Sequence, residues 1–106
     1  MVEEILRMAG IPYRESRFPD PPDTTFAVYL DNMEASGADG LNLIYEHDIM
    51  VELYERIKDD EAEAAVEEAI DAHGLPWTKQ ARYWLQDVQR YQVVYEFTYF
   101  DKRRAN

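Results

Sequence analysis

The run Glu46-His47-Asp48 brings together three residue types that bind metals or move protons. Apolar and polar residues alternate on both sides of it, which predicts a strand, and neighbours on a strand point to opposite faces. Without a bulge, His47 cannot share a site with both flanking carboxylates, so the run reads as a strand histidine between solvated acids. His73, the other histidine, falls at the C-terminal end of a predicted helix, where the carbonyl dipole favours a cation without catalysis. Tyr45, Tyr54 and the tyrosines near the C-terminus carry acidic hydroxyls, but strand tyrosines more often fill a core and show the hydroxyl at its rim. Asp31, Asn32, Glu34 and Asp39 are calcium-ligand types within one short stretch. Their spacing departs from the EF-hand loop, and no glutamate stands at the twelfth position. The patterns GxxxxGK[ST], GxGxxG and GxSxG are absent. The residue types give no argument for an enzyme, and neither metal nor cofactor is expected.

The elements that would position these residues follow from hydrophobic period. Val2, Ile5, Leu6 and Ala9 have helical spacing, Glu3 and Glu4 suit the first turn, and Gly10 with Pro12 ends the helix. Pro19, Pro21 and Pro22 make residues 14–25 a stiff, extended connection. Phe26 to Leu30 reads as a short strand, and the polar residues 31–40 as an exposed loop. Leu41, Leu43, Tyr45, His47, Ile49, Val51 and Leu53 share one parity of a long strand that a bulge near His47-Asp48 would bend. Asp59 or Asp60 caps a second helix, whose apolar stripe is Ala62, Val66, Ala69, Ile70 and His73 before Gly74 and Pro76. Residues 75–84 read as a strand and 85–88 as a turn. The alternation Tyr91, Val93, Tyr95, Phe97, Tyr99 marks a final strand rich in β-formers.

The resulting class is α+β: a mainly antiparallel sheet of about four strands with two helices, in the order α-β-β-α-β-β. Residues 1–100 form one domain and 101–106 a polar C-terminal tail. The 106 residues fit one modest core, and the absence of cysteine removes disulfides, zinc knuckles and thiol nucleophiles. No apolar run nears the roughly 20 residues that span a bilayer, so no membrane partner is expected. The acidic N-terminus is unlike a secretory signal, and the chain reads as cytosolic at synthesis. The formal net charge is −11, which argues against phosphate-backbone or sequence-specific nucleic-acid binding. Seven of the 22 acids lie between Asp59 and Asp71, read as the solvated outer face of the second helix.

The 14 aromatic residues exceed what so small a sheet with two short helices can hide. Asp31, Glu34, Asp39, Tyr95, Tyr99, Phe100, Arg103 and Arg104 are therefore the candidate interface residues, drawn from the loop 31–40, the last strand and the basic tail.

Several stretches, in order, resemble the small tail-completion proteins of siphoviruses and prophages of Gram-positive bacteria. They are Gly10-Ile11-Pro12, Phe18-Pro19-Asp20-Pro21-Pro22, Phe26-Ala27-Val28-Tyr29, Ala38-Asp39-Gly40, Val51-Glu52-Leu53-Tyr54 and Tyr91-Gln92-Val93-Val94-Tyr95-Glu96. The chain departs from that pattern at residues 97–106, where the final strand is longer and ends in Lys102-Arg103-Arg104. The resemblance implies a non-catalytic α+β protein of the virion neck, assembled in the host cytoplasm. It would form a ring, commonly hexameric, at the end of the tail tube, with the tail-tube protein and the head–tail connector as partners. A head-completion connector subunit is the neighbouring alternative. A reading from another class is an acidic protein that mimics DNA or binds a host factor, which the charge alone permits.

Overall fold

A computed structural model describes residues 1–37 and 42–104, with the side chains of residues 42, 103 and 104 left aside. Two helices, α1 (Val2–Ala9) and α2 (Asp60–Ala72), accompany six strands. These are β1 (Tyr13–Glu15), β2 (Phe26–Ser36), β3 (Asn42–Glu55), β4 (Trp77–Lys79), β5 (Tyr83–Leu85) and β6 (Arg90–Arg104). The α+β class and the mainly antiparallel sheet agree with the sequence. The strand count does not: the described residues form six, in the order α-β-β-β-α-β-β-β, because three-residue strands leave too short a pattern to read.

The sheet runs β1-β2-β3-β6-β4, with β5 also on β6, and among the described residues only the β1–β2 pair is parallel. Register is unbroken from Phe26↔Tyr54 to Ser36↔Ile44 and from Asn42↔Arg104 to Glu55↔Tyr91, so the bulge expected at His47-Asp48 is absent. Residues 31–36, read as loop, are strand. Most of their side chains are polar, but a ladder is held by backbone hydrogen bonds and tolerates polar residues where both faces meet water. Residues 101–104 of the expected tail likewise pair with β3, and residues 38–41 lie outside the described residues. The span read as one strand over 75–84 is divided, since β4 and β5 pair with β6 on either side of Gln80-Ala81-Arg82.

One sheet face is the core face. Ala27, Tyr29, Ile49, Val51, Leu53, Val93, Tyr95 and Phe97 lie there against Ile5 and Leu6 of α1 and Val66 and Ile70 of α2. Strand parity puts them on one side and the helical stripe supplies the other. Gly10 ends α1 with φ 74°, a left-handed conformation that suits a residue without Cβ. Asp59 caps α2: its carboxylate accepts from the Ala62 N–H at 3.1 Å and from the Thr25 hydroxyl at 2.6 Å. On the opposite sheet face the proline-rich segment covers only the base, where Phe18 packs edge-on to Phe26 and Phe26 stacks on Tyr54. Beyond the helices, β2, β3 and β6 continue as a three-stranded arm. The molecule measures 50 × 27 × 22 Å, and its radius of gyration of 15.4 Å exceeds the roughly 13 Å of a compact chain this long.

Candidate assembly surface

The arm carries most of the expected interface residues. Asp31 lies on its core face, where the His47 Nδ1–H donates to both carboxylate oxygens at 3.0 Å. The imidazole is buried and stacks on the Tyr99 ring at 4.4 Å, while its Nε2 finds no hydrogen-bond partner among the described residues. His47 thus closes the core at the root of the arm, flanked by Asp31 and Tyr99 and turned away from Glu46 and Asp48. Among the described residues no group of three or more metal-ligating side chains converges.

Glu34 is exposed on the opposite face, directly across the ladder from Glu46, with Phe100 next in the row. Glu46 has its carboxyl raised above the ordinary range, first by a hydrogen bond with Asp48 and by that charge, then by desolvation, and last by Glu34. Phe100 is 65% exposed and Leu30 and Ile44 are partly so, an apolar scatter among these acids. An open groove of about 620 Å³ runs beside them, lined by Leu30, Asp48, Met50, Trp77, Glu96 and Thr98. Arg103 and Arg104 end β6 at the tip, and Asp39 lies outside the described residues.

Tyr95 does not belong to this surface. It is fully buried, and its hydroxyl donates to Glu67 Oε2 at 2.7 Å. Burial first and the Glu67 carboxylate second push its phenol well above the ordinary tyrosine range. Parity explains the correction, because Tyr95 sits opposite Val51 in the middle of the core face.

A second group of charges holds the base together: Asp60, Glu61, Glu68 and Asp71 of α2 are exposed as expected, but Glu63 and Glu67 turn inward, which corrects the reading for those two. Glu63 is buried, and its carboxylate receives Lys79 Nζ at 2.8 Å and the Arg82 guanidinium. Glu67 shares Lys79 at 2.8 Å. Glu55, at the end of β3, is fully buried. It accepts from the Asp59 N–H at 3.3 Å and from Arg82 Nε at 3.4 Å, while its Oε2 meets no donor. Burial first, then the neighbouring Glu63 carboxyl, pushes Glu55 up to about 8. Burial acts on Glu63 in the same sense, but hydrogen bonds from Glu55, Arg82 and Lys79 outweigh it and hold Glu63 near 2. The two carboxyls therefore carry one proton between them at neutral pH. Both cations come from the β4–β5 segment, so this cluster straps that segment to α2. No local pattern marks it, because acids on a helix are by default assigned to solvent.

His73 Nδ1–H donates to the Ala69 carbonyl at 2.9 Å, and Nε2 lies 3.6 Å from Glu4, linking the end of α2 to α1. That placement agrees with a helix-end role. No described helix is long and apolar enough to cross a membrane.

No protein-family model matches the chain, and no curated protein matches it by sequence. By structure, it superposes on a chain from the virion of a native gene transfer agent particle with a TM-score of 0.60. The match covers 89% of this chain and 81% of the other at 13% identity, so the likeness is one of fold.

Proposed function

We propose that the chain is a non-catalytic structural subunit of a phage-like particle, placed in the neck as a tail-completion subunit that forms a ring at the end of the tail tube. The observation that carries this reading is the shared fold with a virion chain over most of both lengths. The order of sequence features that resemble tail-completion proteins points the same way. The tail-tube protein and the head–tail connector are the expected partners, and the arm is the part that projects far enough to reach them. The sheet face turned from the helices bears Glu34, Glu46, Asp48, Glu52 and Glu96. Lining a passage, those acids would repel DNA and let it slide. The reading as a DNA mimic is weaker, because Glu55, Glu63 and Glu67 are engaged with Lys79 and Arg82 instead of lying in a phosphate-like row.

Mass spectrometry of particles purified from the producing cell tests the proposal. The chain should be present at a fixed copy number, and cells lacking it should release tails without heads. Particles that lack the chain, or tails that join heads normally without it, refute the role.

A further inference from the structure

The backbone of the arm has two open edges, and their polarity can be read from the bonds at the base. The Ala27 N–H donates to the Pro12 carbonyl and the Ser16 N–H to the Tyr29 carbonyl, so odd residues of β2 point away from β3. Continuing that alternation, Asp31, Met33 and Ala35 aim their N–H and C=O groups outward, past the end of β1 at Glu15. On the other side, Gln80 N–H donates to the Val94 carbonyl, so even residues of β6 point outward. β4 stops pairing at Phe97, and the residue before β4 is Pro76, which has no N–H to offer Thr98. Thr98, Phe100, Lys102 and Arg104 thus face outward with no partner strand among the described residues.

Natural edge strands are usually blunted by proline, lysine or a bulge. The β2 edge from Leu30 to Ser36 has none of these. It also carries a like-charge pair, Glu34 across from Glu46, which is unfavourable in an isolated sheet. The β6 edge ends in the basic run Lys102-Arg103-Arg104. One edge is acidic, the other basic.

We infer that the β6 edge of a second copy of this chain adds to the β2 edge as a parallel strand, with Lys102 of the partner subunit beside Glu34. β2 and β6 are each antiparallel to β3, so within one chain they run in the same direction. Copies related by rotation about an axis along the strands keep that direction and keep the same face outward. Parallel pairing follows. With Glu34 beside the partner's Lys102, the outward groups of Asp31, Met33 and Ala35 fall in turn between those of Thr98, Phe100, Lys102 and Arg104, the pattern a parallel ladder requires. The contact is head-to-tail, so it generates a closed ring or a filament and never a symmetric dimer. The choice of a second copy as occupant rests on the proposed role as a ring subunit.

The Met33 N–H faces the open edge, so Met33→Pro removes a donor the partner needs while leaving the β2–β3 ladder intact. In sedimentation velocity, the unaltered chain should form species larger than a dimer at tens of micromolar. Met33→Pro should be monomeric with the same circular dichroism. Glu34→Lys and Lys102→Glu should each weaken assembly at least tenfold, and the double variant should restore it. That pair of exchanges also serves if the proline variant fails to fold. The chain has no cysteine, so oxidation of Glu34→Cys mixed with Lys102→Cys should link the two variants, and neither alone should link to itself. An unaltered chain that stays monomeric, a Met33→Pro chain that assembles normally, or self-linking of Glu34→Cys overturns the pairing. If Met33→Pro still takes its place in particles, the edge contact fails and the virion role stands. If rings form but particles lack the chain, the reverse holds.

Discussion

Replacing Glu55 by glutamine should remove most of the pH dependence of stability above pH 5. In the folded chain this carboxyl titrates near 8, against an ordinary value of 4.5. The protonated form is favoured by folding, so its contribution is fully present below about pH 4.5 and is lost as pH rises through 8. Linkage sets a ceiling of about 5 kcal/mol on that loss. Water entry and side-chain relaxation should reduce it to about 2–3 kcal/mol, or roughly 10–20 °C in melting temperature for a domain of this size. Glu63 works in the opposite sense: held near 2, it adds stability above its ordinary value of 4.5 that is lost as pH falls toward 2. The unaltered chain should therefore be most stable near pH 5. Glutamine at position 55 is neutral at every pH, keeps an oxygen for Arg82 Nε, and offers N–H donors on the Glu63 side. Thermal melts followed by circular dichroism at pH 5, 7 and 9 would compare the two chains. Equal slopes above pH 5 would refute the shared proton, and so would an unaltered chain that is more stable at pH 9 than at pH 5.

Arg82→Ala leaves Glu63 with one of its two cations, Lys79, and Glu55 without its guanidinium; urea unfolding should show a loss of about 3 kcal/mol. Asp59→Ala removes the α2 cap and the acceptor of the Thr25 hydroxyl, and should cost about 1–2 kcal/mol in the same assay. Ile70→Ala empties part of the core under the sheet and should cost about 2–5 kcal/mol, a loss visible as a lower urea midpoint at unchanged slope. Gly10→Ala meets no steric neighbour but must hold φ at +74°, so a loss of about 1 kcal/mol is expected from backbone conformation alone.

The sequence made the interior legible where one face of an element is buried. The parity of Ile49, Val51 and Leu53, the stripe Val66-Ala69-Ile70 and the caps at Asp59 and Gly74 all follow local rules and stand in the structure. Residues 31–36 failed that test because both faces of the arm meet solvent, so no alternation marks the strand. β1 pairs over three residues, too few to leave a period. The inward turn of Glu63 and Glu67 depended on Lys79 and Arg82, which arrive from beyond the end of the helix. Tyr95 and Tyr99 share a parity, yet one is core and the other stands at its rim. The difference is distance along the strand from the helices, and no local pattern records it.

β3 passes from the core into the arm without a bulge, and its 14 residues take part in both. At about 3.4 Å per residue it spans nearly the whole long axis. A pull or push on the tip along that axis is borne as shear across the β2–β3 and β3–β6 ladders, whose rungs share the load together instead of parting one by one. The absence of a kink gives the arm no built-in joint, so tip and base turn as one lever. A tilt imposed at the tip reaches the helices undiminished, so the three strands act as a rigid strut.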